Sequence, residues 1–211
     1  MPAHIIRFAD LRPEKWRNGG GTTVEIASGP ERTPASGEDW GWRLSIADVE
    51  RAGDFSAFAG MERVLTVVEG ELLVLTVDGR EHGLERFRPF RFDGGAPASA
   101  ILPTGSIRDL NLITRRGVFT GYVTILELSK KRSLPLSAGQ LGVLLQGDAV
   151  ASGAGPADDG GTRLGRYDTV VAGAVEEGEP PVEVSGRGFF AVVSLEADSP
   201  AADTRGGGAH A

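Results

Sequence analysis

An all-β chain of barrel or sandwich type is what this sequence predicts, on three observations. Short runs rich in β-branched and aromatic residues recur along its 211 residues, divided by Gly, Pro and Asp. Long runs with a helical period are missing. A strand–glycine–strand pattern occurs twice, as VLTVVEGELLV (64–74) and LGVLLQGDAVA (141–151), with Gly70 and Gly147 in register.

The expected strands follow in order. Residues 5–8 form a short one, and TTVEIA (22–27) alternates and gives another. In WRLSIADV (42–49), Trp42, Leu44 and Ile46 share one face, and Arg43, Ser45 and Ala47 the other. RVLTVVEG (63–70) runs into ELLVLTVDG (71–79) through a Glu-Gly-Glu turn. PFRFDG (89–94), ASAILP (98–103), IRDLNLITR (107–115) and FTGYVTILEL (119–128) complete a first unit over 1–128. SKKRSLPLSAGQ (129–140) is basic, then Pro- and Ser-containing, and reads as a linker. A second, related unit spans 141–197, where VEVSG and FFAVVSL echo ASAIL and RDLNLI. The loop 151–163 reads as flexible and the tail 198–211 as disordered, both from composition.

Composition narrows the function. Hydrophobic residues make up 40% of the chain and charged residues 24%, ordinary globular values. The net charge of -7 argues against a nucleic-acid partner. Cysteine is absent, which excludes disulfides, thiolate metal sites and a cysteine nucleophile. No run approaches the roughly 18 apolar residues of a membrane span, and the N-terminus has no apolar signal core. A cytoplasmic protein without a membrane partner is the expectation.

The motifs exclude more than they assign. Gly19, Gly20 and Gly21 are contiguous in WRNGGGTT (16–23) and no Lys follows, so neither phosphate-binding glycine pattern fits. The run is either a tight turn under Trp16 or a pocket rim, with Asn18 and Thr22 offering hydrogen bonds. His4, His82 and His210 lie far apart, so no metal and no cofactor is expected, and His82 reads as a solvated turn residue. No serine sits in a nucleophile motif. What remains is polar residues on strand faces. Arg43 and Ser45 share one face, Asp109 and Asn111 another, and Arg63 opens its strand. Turned into a barrel, they would suit a small carboxylate, for which arginine offers a bidentate fork. Turned outward, they would form a wet sheet face. Phe55 and Phe58, in GDFSAFAGMER (53–63), read as core plugs, and Trp40 and Trp42 also read as core.

Taken together, WRNGGGTTVEIA, WRLSIADVERAGDFSAFAGMERVLTVVEGE, FRFDGG and DLNLITRRG resemble the HutD/Ves family of cupin-like proteins. The match runs in order from about residue 5 to 128, and more loosely beyond. The resemblance implies a bicupin, two double-stranded β-helix (jelly-roll) units in one chain, and a link to histidine utilisation. It implies a small-molecule pocket in the first unit, at Trp16, Asn18, Gly19, Gly20, Gly21, Thr22, Arg43, Ser45, Arg63, Asp109 and Asn111. The cupin class also implies a homodimer through sheet edges. Metal-binding cupins carry His-x-His and Glu around the glycine turn, where this chain has no His from 64 to 71.

Three functions compete. The first is a metal-independent binding protein that senses a small organic acid such as urocanate, formiminoglutamate or formylglutamate. The second is a metal-independent isomerase or hydrolase, with Asp109 or Glu25 as general base and arginine as anion stabiliser. The third is a regulator that docks a protein partner.

Overall fold

The computed structural model describes residues 3–31, 40–154, 161–173 and 181–198. Residues 155–160 of the predicted loop 151–163 and 199–211 of the predicted tail lie outside them; the ends of that loop, expected to be flexible, fall in strands at 151–152 and 162–163. No α-helix occurs among the described residues, only a 3-10 turn at Phe8–Asp10. The strands are β1 His4–Ile6, β2 Pro13–Lys15, β3 Gly21–Glu31, β4 Trp40–Val49, β5 Gly53–Asp54 and β6 Met61–Glu69. Next come β7 Leu72–Val77, β8 Arg80–Glu85, β9 Phe90–Asp93, β10 Ala98–Ile101, β11 Ile107–Arg115 and β12 Phe119–Leu128. The last five are β13 Leu134–Leu136, β14 Leu141–Ser152, β15 Thr162–Leu164, β16 Thr169–Val171 and β17 Val182–Ala197.

They form three sheets. The middle one runs β2-β3-β4-β11-β6-β9, and a smaller one, β5-β10-β7-β8, faces it. The third runs β1-β16-β14-β17-β12, with β13 on β17 and β15 on β14. Sheet membership therefore departs from chain order: β1 and β12 pair with strands that lie beyond residue 140. Segment 129–140, expected as a linker, contributes β13, which pairs with Val182–Val184. His82, expected in a turn, lies half-buried on β8 with its ring 4.6 Å from that of Phe90.

Three apolar cores hold the sheets together. Leu65, Val67, Leu73, Leu75 and Ile107 fill the space between the middle and smaller sheets. Leu44, Ile46, Leu110 and Leu112 of the middle sheet meet Leu141, Val143, Leu145, Ala191 and Val193 of the third. Leu144, Ala149, Val170, Val184 and Phe190 form a core within the third sheet. Strands β14 and β17 supply that core from both sides of a bulge at Leu144/Gln146. Beside the bulge, a Cβ at Gly147 would come within 2.0 Å of the Arg187 carbonyl oxygen, and one at Gly188 within 1.9 Å of that of Gln146. Only glycine lets the two backbones approach this closely where the sheet bends.

A polar clasp closes one edge of the contact between sheets. The Tyr167 hydroxyl donates to Glu69 Oε1 at 2.6 Å, and Arg166 and Arg108 reach the same oxygen at 2.9 and 3.3 Å. Both guanidinium groups lie over the Tyr167 ring. Burial, reinforced by Glu69, raises the Tyr167 pKa, so the hydroxyl keeps the proton it donates.

Leu112 is fully buried between the middle and third sheets. Leu112→Ala should destabilise the protein by about 2–5 kcal/mol. In a denaturant titration this appears as a lower midpoint at unchanged slope.

Candidate functional site

The middle sheet carries its polar residues on the face toward the smaller sheet, and register places them. Reading across β4, β11 and β6, Arg43 pairs with Ile113, which pairs with Arg63. Two residues along, Ser45 pairs with Asn111 and Asn111 with Leu65. Two further, Ala47 pairs with Asp109 and Asp109 with Val67. Arg43, Ser45, Ala47, Arg63, Asp109, Asn111 and Ile113 all line a cavity of about 510 Å³. The alternation read in 42–49 and 107–115 is the one observed, and the inward orientation holds rather than the wet-face one.

The cavity floor is a hydrogen-bonded chain of buried groups. Arg63 Nη2 donates to Asn111 Oδ1 at 3.0 Å, and Asn111 Nδ2 donates to Asp109 Oδ1 at 2.5 Å. Arg63 Nε and Asp109 Oδ2 are buried and find no hydrogen-bond partner among the described residues. Burial pushes the Asp109 carboxyl up to about 7, against the pull of Arg63 and Asn111. Burial lowers Arg63 to about 10, opposed by Asp109 and assisted by Arg43, so the guanidinium stays cationic at neutral pH. Arg43 is more open, and its Nε lies 3.6 Å from Glu25 Oε2.

Aromatic rings complete the walls. Phe55, expected as a core plug, packs against the core between the two sheets and also lines the cavity, and Phe58, expected likewise, lines it too. With Phe92 they surround the Arg63 guanidinium, whose Cζ lies 5.4, 5.6 and 5.1 Å from the three ring centroids. Such rings stabilise a cation that burial has stripped of water. Trp16 also lines the cavity, donating from Nε1 to Thr23 Oγ1 at 2.8 Å and meeting Phe55 edge-on.

The glycine run is both turn and rim. It links β2 to β3, and Gly19 has φ +67°. Asn18 Oδ1 accepts from Gly20 N–H at 2.9 Å, while Asn18 itself lines the cavity. Gly21 lies against β4, where an added Cβ would come within 2.0 Å of the Asp48 carbonyl oxygen. The glycines thus bring Trp16 and Asn18 to the mouth; none of the three lines the larger cavity, and Gly20 borders a neighbouring one of about 220 Å³. Thr22 faces away and donates to Asp48 Oδ2 at 3.3 Å, and Thr23 stands on the cavity side. Glu25 is exposed and absent from the lining, tied to Arg43 and Ser28.

Several lining residues escaped the sequence reading. Thr23 could have been found, because Val24 and Ile26 are buried and Thr23 alternates with them. Glu14, Lys15, Arg17, Asp54 and Ser56 come from short strands and loops that carry no periodic signal.

Two outcomes follow from this geometry. Native Asp109 keeps its proton up to about pH 7, whereas in the unfolded chain it ionises near 3.9. The native state therefore binds more protons in that window, and stability falls as pH rises through it. Asp109→Asn removes this slope. The stability of the variant relative to wild type should rise from about pH 5 to 7 and level off above, measured by denaturant titration; a pH-independent difference contradicts the assignment. Gly21→Ala should destabilise more than Gly19→Ala, whose cost is about 1 kcal/mol of backbone strain. Midpoints of thermal unfolding decide this.

Comparison with known proteins accords with this arrangement. The family model HutD matches residues 8–191. An uncharacterised 21.2 kDa protein of the hutC 3' region of Pseudomonas putida is 45% identical over 111 residues, covering 52% of this chain and 56% of that protein. Protein Ves of Citrobacter koseri is 44% identical over 116 residues, 53% of this chain and 59% of Ves. The chain thus spans little more than half the length of these curated relatives. The structure of HutD from Pseudomonas fluorescens SBW25, in a formate condition, aligns with a TM-score of 0.76 at 32% identity, over 93% of this chain and all of that one. A cupin 2 conserved barrel domain protein from Leptotrichia buccalis aligns at TM-score 0.58 and 10% identity, over 93% and 98% of the two chains, a likeness of fold. The residues around the cavity, the all-β cupin-like architecture and the match from residue 8 to 191 converge: the chain belongs to the HutD family.

Proposed function

We propose that this chain is a metal-independent binding protein for a small organic acid, with a sensing or regulatory role in histidine utilisation. The observation that carries the reading is the cavity between the middle and smaller sheets, with Arg43 and Arg63 on its polar face beside Ser45 and Asn111. Arginine in a partly desolvated site binds carboxylates by charge-assisted hydrogen bonds. The lining holds four cationic side chains (Lys15, Arg17, Arg43, Arg63) against three acidic ones (Glu14, Asp54, Asp109), and Asp109 resists ionisation. It contains no histidine, and among the described residues no three His, Asp or Glu side chains gather as a metal site would need. The pathway comes from family membership and from the relative of the hutC 3' region. Urocanate, formiminoglutamate and formylglutamate are the acids proposed, in a cytoplasmic protein that forms a homodimer. We also read the chain as a bicupin, units 1–128 and 141–197 joined by 129–140, with β1 and β12 exchanged between sheets. Gly70 and Gly147, at φ +84° and +100°, mark corresponding points of the two units.

One observation favours a second reading, a metal-independent isomerase or hydrolase. A carboxyl raised to about 7, on a residue that lines the cavity, has the pKa a general base would need. Turnover of a bound acid that Asp109→Asn abolishes while binding persists would select this reading.

Thermal unfolding with histidine, urocanate, formiminoglutamate, formylglutamate, glutamate and formate tests the first reading. A true ligand at a hundredfold excess over Kd should raise Tm by about 5 °C or more. Arg63→Ala and Arg43→Ala should each reduce that shift. No shift with any acid at millimolar concentration defeats the proposal.

A further inference from the structure

We propose that the free edge of β12 pairs with the same edge of a second copy of this chain, antiparallel about a two-fold axis at Thr124. The inference rests on the homodimer of the reading above and gives that dimer its interface.

An edge strand presents unpaired backbone groups, and folded proteins blunt it by short length, charge, proline or a bulge. Among the described residues, the other sheet edges are blunted in this way. β1, β2, β5, β13 and β15 have three residues or fewer, and β2 and β13 contain Pro13 and Pro135. β8 carries Arg80, Glu81 and Glu85, and β9 carries Arg91 and Asp93. β12 ends the third sheet and differs. It runs for ten residues, pairs with β17 without a register shift, and contains no Pro, Lys or Arg. Its one charge is Glu127, and its Tyr122 is 45% exposed.

Register decides which backbone groups face outward. One step beyond the Phe119–Ala197 pair, Asp198 N–H donates to the Val118 carbonyl, so 118 and 198 form a hydrogen-bonded pair. Such pairs alternate along an antiparallel ladder. Thr120, Tyr122, Thr124 and Leu126 therefore bond to β17, while Gly121, Val123, Ile125 and Glu127 turn their N–H and C=O groups to the open edge. The Gly121 carbonyl agrees, because it accepts from Arg91 Nη2 of β9.

Side chains select the partner. With Thr124 on the axis, Tyr122 lies opposite the partner's Leu126, Val123 opposite the partner's Ile125, and Glu127 opposite the partner's Gly121, each pair occurring twice. Aromatic–aliphatic and aliphatic pairs of this kind stabilise a sheet. Glu127 forms no ion pair among the described residues, and this register sets it beside the partner's Arg91, which is held at Gly121 by its bond to the carbonyl. Moving the axis by one residue loses the match. With Ile125 on it, Glu127 stands opposite the partner's Val123. With Val123 on it, Leu126 stands opposite the partner's Thr120.

Sedimentation velocity of the full chain, over a series of micromolar concentrations, tests the pairing with Thr124→Glu and Thr124→Lys. Val123 and Ile125 pack toward the middle sheet, and Thr124 is exposed on the opposite face, so neither new side chain enters a core. Each variant alone brings like charges together on the axis and should raise the dimer Kd about tenfold or more. An equimolar mixture pairs opposite charges and should recover the dimer. Hydrogen exchange reads the same edge without a mutation. The Val123 and Ile125 amides should be protected in the wild-type dimer and exchange rapidly when it is diluted to monomer, while those of Tyr122 and Thr124 stay protected throughout. A wild-type dimer whose Kd neither variant changes, or in which Val123 and Ile125 exchange as fast as in the monomer, overturns the inference and leaves the homodimer with another interface. Should a variant not fold, the wild-type exchange alone decides. A wild-type chain that stays monomeric across the series ends the homodimer reading and this inference with it.

Discussion

Strand β11 is buried on both faces, and the molecule is arranged around its register. Leu110 and Leu112 enter the core shared with the third sheet, while Asp109 and Asn111 face the cavity. A slip of one residue would exchange the two sets. It would put a carboxyl and an amide into an apolar core and two leucines into a polar cavity. Each misplacement is costly, because buried polar groups need partners and leucines need apolar neighbours. Both faces therefore enforce the same alignment, and the positions of Arg43 and Arg63 across the sheet are inherited from it.

The charges follow from the same burial. Arg63 is held by three aromatic rings, the Asn111 amide oxygen and, at 3.5 Å, the Ser56 carbonyl, and Asp109 lies beyond Asn111. The pair attract through Asn111 without touching directly, so each retains a free polar atom. Two carboxylate–guanidinium bonds would have satisfied both groups and left the cavity floor inert. The intervening amide keeps the guanidinium and the carboxyl apart, and burial holds that carboxyl up to about 7.

Much of this was legible in the sequence where strands alternate. The faces of 42–49 and 107–115 could be read because each alternates polar and apolar residues with period two. The glycine run could be read as a constraint, though not as both turn and rim. The family motif points to Thr22 as a cavity residue, yet Thr22 shares its face with the buried Val24 and Ile26, and alternation puts Thr23 on the cavity side. Phe55 and Phe58 looked like core because aromatic residues in a loop usually anchor it; their role around a buried guanidinium depends on a partner on another strand. The pairing of β1 with β16 and of β12 with β17 left no local trace, since hydrogen bonds between distant strands depend on neither spacing nor composition.

That last pairing bears on how the chain reaches its native state during synthesis. Residues 4–6 find their partners at 169–171, so β1 waits for a strand made more than 160 residues later. The loop it closes is long, and contacts of such sequence separation form late and slowly. Until then the nascent chain carries an unpaired strand edge, although every strand of the cavity sheet, from Pro13 to Arg115, has already been made. A chain cut off before β16 would therefore betray itself by an open edge at β1.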